Sequence, residues 1–481
     1  MRTKTVSAAM PLPDWHDNRF RWARGRDVDA RTLIQILRRR ATLRRRDRWS
    51  RRELEAHQAA ALRDLRDYAV ARSPFLAALH RGLERRPLHE LPVVTKAMLM
   101  ESFDAFVTDR AVTRARVEAH LAASPGAPFL ERYRVAATSG TTGLRGLFLA
   151  DPDEWSWVLA SYARANDWAG IAAGLTHRAK IAVVSSRTPW HQSALVAASL
   201  ESRVVSTLRL DSTEPLDRIV AALNEFQPES LVGYASMMRE LAEEQLARRL
   251  VIAPKAVMSA SEVLTDESAA RIERAFGSRP FNVYAATEPA GVASHCERHA
   301  MHLYEDLVIT EVVDERNQPV PVGAFGAKVL VTVLFSRTQP LIRYEMSDSV
   351  ALSDVTCSCG RPFALLAAVQ GRQEDTLRMP DGRGGTVDVR PNVFHSVLES
   401  VDARAWQVVH GQSGIRVLLA QAGPSVDDAK LTAAVREALV AARAQPPRIA
   451  VERVGEIPKT AMGKTKLIAA EPPRNNVQTM R

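Results

Sequence analysis

Short apolar runs rich in β-branched residues recur through the middle of the chain: IAVVSS from Ile181, RVVSTLRL from Arg203, AVMSAS from Ala256 and FNVYAAT from Phe281. Longer stretches with helical periodicity, such as EPLDRIVAALNEF, lie between them. Strands alternating with helices in this way predict an α/β fold with largely parallel sheets. Further on, ITEVVD, KVLVTVLF and RYEMSDSVALS read as antiparallel strands, with turn residues Asn317, Pro319, Pro321, Gly323 and Gly326 among them. Beyond GRQEDTLRMPDGRGG the texture changes: a helix at NVFHSVLESV, strands at WQVVHG and GIRVLLA, a helix at DDAKLTAAVREALVAARA and a strand at RIAVERV predict a smaller α+β unit. At the other end, Leu54, Ala61, Leu62, Leu65 and Tyr68 fall at helical spacing behind the basic run RRRATLRRRDRWSRR, Arg38 to Arg52.

Charge refines this picture. The 481 residues hold 65 Lys+Arg against 55 Asp+Glu, but residues 1–66 carry 18 basic and 8 acidic side chains, leaving 47 of each in the rest. The body is electroneutral, so nucleic acid is not expected as a partner. The basic arm reads first as a solvated helix face and second as a docking surface for an acidic partner or phosphates. Three cysteines cannot build a disulfide framework, no apolar run approaches the ~18 residues of a membrane span, and the opening segment lacks the apolar stretch of a secretory signal. A cytoplasmic setting without membrane association is the expectation. The length favours two or three folding units and is compatible with a homodimer.

The strongest chemical signal is Thr138-Ser139-Gly140-Thr141-Thr142-Gly143. Six small residues, four with hydroxyls, let the backbone approach an anion and offer several N–H and O–H donors to phosphate oxygens. A second signal lies in the cysteines, which fall into Cys296-Glu-Arg-His299 and Cys357-Ser-Cys359. Cys296, His299, Cys357 and Cys359 make four ligands suited to tetrahedral Zn²⁺ in a closed structural site, with His295 or His302 as substitutes for His299; buried free thiols are the plain alternative. GKT at Gly463 is not a Walker motif, because Pro458 stands where that motif needs glycine.

TSGTTG resembles the phosphate loop of the adenylate-forming, AMP-binding superfamily, and four further segments resemble its motifs in the same order. Tyr284-Ala-Ala-Thr287-Glu288 is similar to the motif whose aromatic ring stacks on adenine, whose Thr contacts the α-phosphate and whose Glu helps hold Mg²⁺. Asp348, closing RYEMSD, matches the ribose-binding Asp. Arg372 in GRQED matches an Arg that also reaches the ribose, with Glu374 and Asp375 at the hinge. Lys464, in PKTAMGK, matches the catalytic lysine. LPVVTK from Leu91 and VGYASMMRELA from Val232 resemble the phenylacetate-CoA ligase branch, whose members often carry a similar Cys/His and Cys-x-Cys arrangement.

The resemblance implies an acid-thiol ligase. A carboxylic acid, by default aryl or arylacetic, is adenylated by ATP with Mg²⁺ and passed to CoA or a carrier-protein thiol; a non-CoA acceptor or a binding-only relative are the alternatives. Lys464, Glu288 and Thr287 are the implied catalytic residues, and Tyr234, Ser259, Ala260 and Trp190 the implied substrate pocket, Trp190 serving equally well as core. Leu144-Arg145 after the loop, and Glu345, Met346 and Ser347 before Asp348, depart from the common pattern. The implied organisation is a basic helical extension over 1–70, an AMP-binding and acyl-binding domain over 71–372, a mobile C-terminal domain over 373–470 and a flexible tail over 471–481.

Overall fold

The computed structural model describes residues 30–138, 144–174, 176–372, 377–389, 391–398, 401–411, 413–458, 465 and 467–470. Helices α1 (Ala30–Arg46) and α2 (Arg51–Arg72) open the chain. Ser50 and Glu53 start α2 with a reciprocal capping box, the Ser50 Oγ accepting from Glu53 N at 3.3 Å and the Glu53 carboxylate from Ser50 N at 2.7 Å. Leu43, Leu54, Leu65 and Ala69 sink into the largest apolar core. The basic run is a solvated face only in part: Arg38, Arg45, Arg48 and Arg52 are exposed, while others reach across to the body. Arg40 and Arg44 pair with Asp167 at 2.6 and 2.8 Å, Arg46 with Asp306 at 3.4 Å, Arg51 with Glu305 at 2.7 Å, and Arg39 with Asp153. The acidic partners lie more than a hundred residues away, which a local charge count cannot register.

Short helices α3 (Pro74–Leu79), α4 (Lys96–Glu101), α5 (Phe103–Phe106) and α6 (Arg114–Ala123) lead to an antiparallel hairpin of β1 (Arg134–Ala137) and β2 (Leu147–Ala150). Helix α7 (Pro152–Trp168) follows, its start set by Pro152 in the first turn and an Asp151/Glu154 capping box.

The α/β alternation then appears as expected: β3 (Ala179–Ser185), α8 (Gln192–Ala198), β4 (Val205–Asp211), α9 (Leu216–Phe226), β5 (Ser230–Gly233), α10 (Ala235–Leu246), β6 (Ala256–Ala260), α11 (Asp266–Phe276) and β7 (Phe281–Ala286). Strands β4, β3, β5, β6 and β7 are neighbours in that order and all parallel. Period-2 alternation assigns their faces. Ala182 and Val184 pack under α9, α10 and α11, while Ile181 and Val183 turn toward the α8 side.

Beyond β7 the same sheet continues antiparallel through β8 (Ala290–His295) and β9 (Met301–Leu303). Strands β10 (Val308–Val313), β11 (Lys328–Val333) and β12 (Tyr344–Met346) form a separate antiparallel sheet, and β13 (Asp348–Ser353) and β14 (Leu365–Arg372) complete the large one at its edge. RYEMSDSVALS is therefore two strands in two sheets, broken at Ser347, rather than one.

The remainder has its own core. An antiparallel pair, β15 (Leu377–Pro380) and β16 (Thr386–Val389), precedes α12 (Pro391–Leu398), β17 (Ala405–Gly411), β18 (Gly414–Ala420), α13 (Asp428–Ala441), β19 (Ile449–Val454) and β20 (Ile468–Ala470). The last four strands order as β19-β18-β17-β20. Phe394, Trp406, Val408, Leu419 and Val435 are buried together, apart from the large core. Among the described residues no helix is long and apolar enough to cross a membrane.

Candidate active site

Parallel α/β sheets bind ligands beyond the carboxyl ends of their strands, where backbone and connecting loops diverge. A cavity of about 780 Å³ opens there, past β3, β5, β6 and β7, and residues of the small domain line part of it. Thr138, Tyr284, Thr287, Glu288 and Asp348 all line it, although up to 210 residues separate them in the chain. Tyr344 Oη donates to Glu288 Oε1 at 3.2 Å, orienting the carboxylate and leaving its second oxygen for a cation. Thr138 and Gly146 clasp the ends of the phosphate-loop segment: Gly146 N donates to Thr138 Oγ1 at 2.8 Å and Thr138 N to Gly146 O at 3.0 Å. Ser139, Gly140, Thr141, Thr142 and Gly143 lie outside the described residues.

Asp348 and Arg372 are direct partners across the β13–β14 ladder, which puts the two ribose candidates opposite each other on adjacent strands. LPVVTK joins the same corner: Val94 N donates to Arg343 O at 3.0 Å, Glu345 N donates to Val94 O at 2.9 Å, and Lys96 lines the cavity. Lys464, Glu374 and Asp375 lie outside the described residues. Thr465, the residue after Lys464, lines the cavity, as do Arg404 and Trp406 of the small domain.

The small domain is tied to α10. Arg404 donates to Glu244 Oε1 at 2.8 Å, and Arg239 to the carbonyl of Ala403 at 3.2 Å. Hydrogen bonds from Arg249 and Arg404 hold the Glu244 carboxyl below the usual range, so it stays charged and paired.

Two of the four pocket residues expected from the sequence line the cavity. Ala260 does, and so does Tyr234, a phenol pushed up to about 12 by burial that accepts a hydrogen bond from Ser186 N at 3.0 Å. Ser259 does not. It neighbours Ala260 on β6, and successive strand residues point to opposite faces, so its side chain is fully buried on the other side. Trp190 is also absent from the wall: it packs against the large core with the Arg145 guanidinium 4.7 Å from its ring. Its neighbours His191 and Gln192 take the wall instead, Gln192 Nε2 donating to the Ala286 carbonyl at 3.3 Å. His191 lies in a stretch that resembles the family's pocket lining, whereas Gln192 did not stand out in the sequence.

A second cluster sits where β9 meets the loop before β14. Ligand atoms of Cys296, His302, Cys357 and Cys359 all fall within 4.8 Å of one another. Cys296 Sγ is 3.8 Å from Cys357 Sγ, and Cys359 Sγ is 3.1 Å from His302 Nε2. The opposite nitrogen, His302 Nδ1, meets the Phe363 carbonyl at 3.0 Å, which requires the proton on Nδ1 and leaves the Nε2 lone pair facing the sulfurs. Three cysteine sulfurs and one imidazole nitrogen converging in this way fit tetrahedral zinc. His299 is not the fourth member. The chain reverses between Cys296 and Met301, so the histidine returning on β9 reaches the cysteines, while His299 stays in the turn with its ring 4.5 Å from Phe281.

No family model matches the chain. Over 196 residues it is 31% identical to phenylacetate-coenzyme A ligase of Thermus thermophilus, covering 38% of this chain and 42% of that protein. Over 308 residues it is 23% identical to protein CapK of Staphylococcus aureus, covering 60% of each. The matches thus span less than two thirds of either relative. The structure of 2-hydroxyisobutyryl-CoA ligase in the postadenylation state, in complex with R3-HIB-AMP, superposes with a TM-score of 0.70 at 20% identity over 89% of this chain and 91% of that one. The chain has the fold of the adenylate-forming ligases. Within that fold the cavity lies between the large and small units, and Thr138 with residues 284–288 and 344–348 lines it.

Proposed function

We propose that the protein is an ATP-dependent ligase that converts an apolar carboxylic acid to its acyl-adenylate and passes the acyl group to a thiol, with CoA as the acceptor. The observation that carries this reading is the convergence of Tyr284, Thr287, Glu288 and Asp348 with Thr465 of the small domain on one cavity. In this reading the Tyr284 ring covers adenine, Asp348 with Arg372 takes the ribose hydroxyls, and the Thr287 hydroxyl reaches the α-phosphate. Glu288 would hold Mg²⁺, which when bound neutralises phosphate charge. A carboxylate oxygen of the acid attacks the α-phosphorus, the bond to the bridging oxygen breaks and pyrophosphate leaves. In the second step the thiol sulfur attacks the acyl carbon, AMP leaves and the thiol proton is lost to solvent. The unit over 373–470 is the part that would turn between the steps, about Glu374 and Asp375. Zn²⁺ at Cys296, His302, Cys357 and Cys359 would be structural, away from the chemistry.

Acid-dependent exchange of pyrophosphate into ATP tests the first step without any assumption about the acceptor. Exchange with no acid of a broad panel overturns the proposal. Lys464 neighbours Thr465 in the chain, and an ammonium between the attacking carboxylate and the leaving phosphates stabilises charge that accumulates only in the transition state. Lys464→Ala is expected to slow exchange by about 10²–10³-fold, the cost of one lost electrostatic donor, while thioester formation from supplied acyl-adenylate survives.

A further inference from the structure

The cavity continues well below the carboxyl ends of the strands. In the parallel sheet Val183, Val232 and Met258 stand side by side on one rung; Ala260 and Val283 are paired one rung nearer the opening, and Ile181 lies one rung deeper. Members of all three rungs line the cavity. From Ser185 at the opening to Ile181 is four residues of strand, about 13 Å. The facing wall carries Ala165 on α7 with Val196 and Ala197 on α8, beside the polar side chains of Tyr162, Asn166, Gln192 and Ser193. Ile181 and Val183 share a buried cluster with Ala197 of α8, so the passage is narrow at this depth.

The polar group at the deep end is already used by the protein. Asn166 Oδ1 accepts from Ser230 Oγ at 3.0 Å, and Ser230 is the rung partner of Ile181; Asn166 Nδ2 donates to the Tyr162 carbonyl at 3.4 Å. Among the described residues no charged side chain stands beside Ile181 and Asn166 on this floor, so a distal carboxylate or ammonium would be desolvated without compensation. A lone aryl ring would fill the upper rungs and leave apolar walls without contacts beneath it.

From this passage we infer that the acid is a linear aliphatic one, its carboxylate at Thr287 and its tail running past Val183 and Met258 toward Ile181 and Asn166. The inference deepens the proposed activity and rests on it for the carboxylate end only. Each added methylene is expected to raise kcat/KM in pyrophosphate exchange about fourfold, the transfer free energy of one buried CH₂, from butanoate upward until the tail meets the floor. Val183→Phe obstructs the middle rung and should move the best acid several carbons shorter. Ile181→Ala removes a side chain from the deepest rung and should move it longer, so the two variants displace the optimum in opposite directions.

Calorimetric titration with dodecanoate alone separates the two proposals, because binding does not need adenylation. Dodecanoate binding without exchange by any acid would overturn the ligase activity and leave the passage as its site. Exchange supported by benzoate or phenylacetate, with no chain-length gradient and no dodecanoate binding, would overturn the aliphatic assignment and leave the ligase. Neither exchange nor binding would overturn both.

Discussion

Replacing His302 by alanine removes a nitrogen 3.1 Å from Cys359 Sγ, whereas replacing His299 removes a ring stacked on Phe281 outside the cysteine cluster. Purified protein is expected to carry about one Zn²⁺ per chain, His302→Ala to lose it, and His299→Ala to keep it. Elemental analysis with thermal melting reads both: loss of metal should lower Tm for the His302 variant, and a metal-free wild type melting unchanged would exclude the site. The gathering of the three cysteines was legible because they are so few. The sequence offered His302 only as a substitute for His299, because His295, His299 and His302 flank one reversal and only the strand pairing decides which returns to the sulfurs. The same limit explains Ser259: adjacent letters in a strand share a motif but not a face. The gathering of Thr138, Tyr284, Thr287, Glu288 and Asp348 at one cavity was expected from the order of their motifs, which do not depend on strand facing.

At the scale of elements, α1 and α2 are held by a buried charge cluster whose centre is Asp306. Its carboxylate takes two hydrogen bonds from Arg164 at 2.7 and 2.9 Å and a longer one from Arg46 at 3.4 Å, and the Arg164 and Asp306 side chains are 1% and 0% exposed. Burial alone would push Asp306 up, but Arg164 together with Arg46 outweighs it and holds the carboxyl below its ordinary value. An acid depressed in the folded state contributes stability that is fully present above its unfolded pKa, about 3.9, and is lost as pH falls through the lower folded value. Asp306→Asn should therefore destabilise by about 3–5 kcal/mol at neutral pH, because it takes the close carboxylate from Arg46 and leaves the buried Arg164 only Asp47 at 3.5 Å, and should flatten the decline in stability below about pH 4. Urea midpoints across pH check this, and an unchanged acid limb would show that Asp306 is not what titrates. The helix periodicity of α2 was visible in Leu54, Leu65 and Tyr68, but not the docking of α1, whose counter-charges sit on α7 and after β9. Strand β5 went unread for a different reason: four residues, Ser230–Gly233, are too few to show a period.

At the scale of the whole molecule, the change of sequence texture near residue 372 coincides with the passage from one core to another, because each core must draw its apolar residues from a contiguous stretch of chain. How the two units meet was not legible, since that depends on single polar residues at the surface of α10. Arg404 reaches Glu244 at 2.8 Å with side-chain exposures of 24% and 7%, and Arg239 reaches the Ala403 carbonyl at 3.2 Å. These contacts belong to the arrangement in which Thr465 lines the cavity, taken as the adenylation arrangement in the proposed reaction. If the small domain turns for thioester formation, the Arg404–Glu244 pair must part, so it favours one of the two states. A partly exposed pair is worth about 1 kcal/mol, or about fivefold in the balance between them. Arg404→Ala is expected to lower the ratio of pyrophosphate exchange to thioester formation from isolated acyl-adenylate by about that factor, with little loss of stability because Arg249 still pairs Glu244. Arg249→Ala provides the control, since it removes a partner of the same carboxylate from within the large domain and should leave the ratio unchanged. Equal loss in both half-reactions, or an equal shift in the control, would show that the bridge secures the small domain without selecting its position.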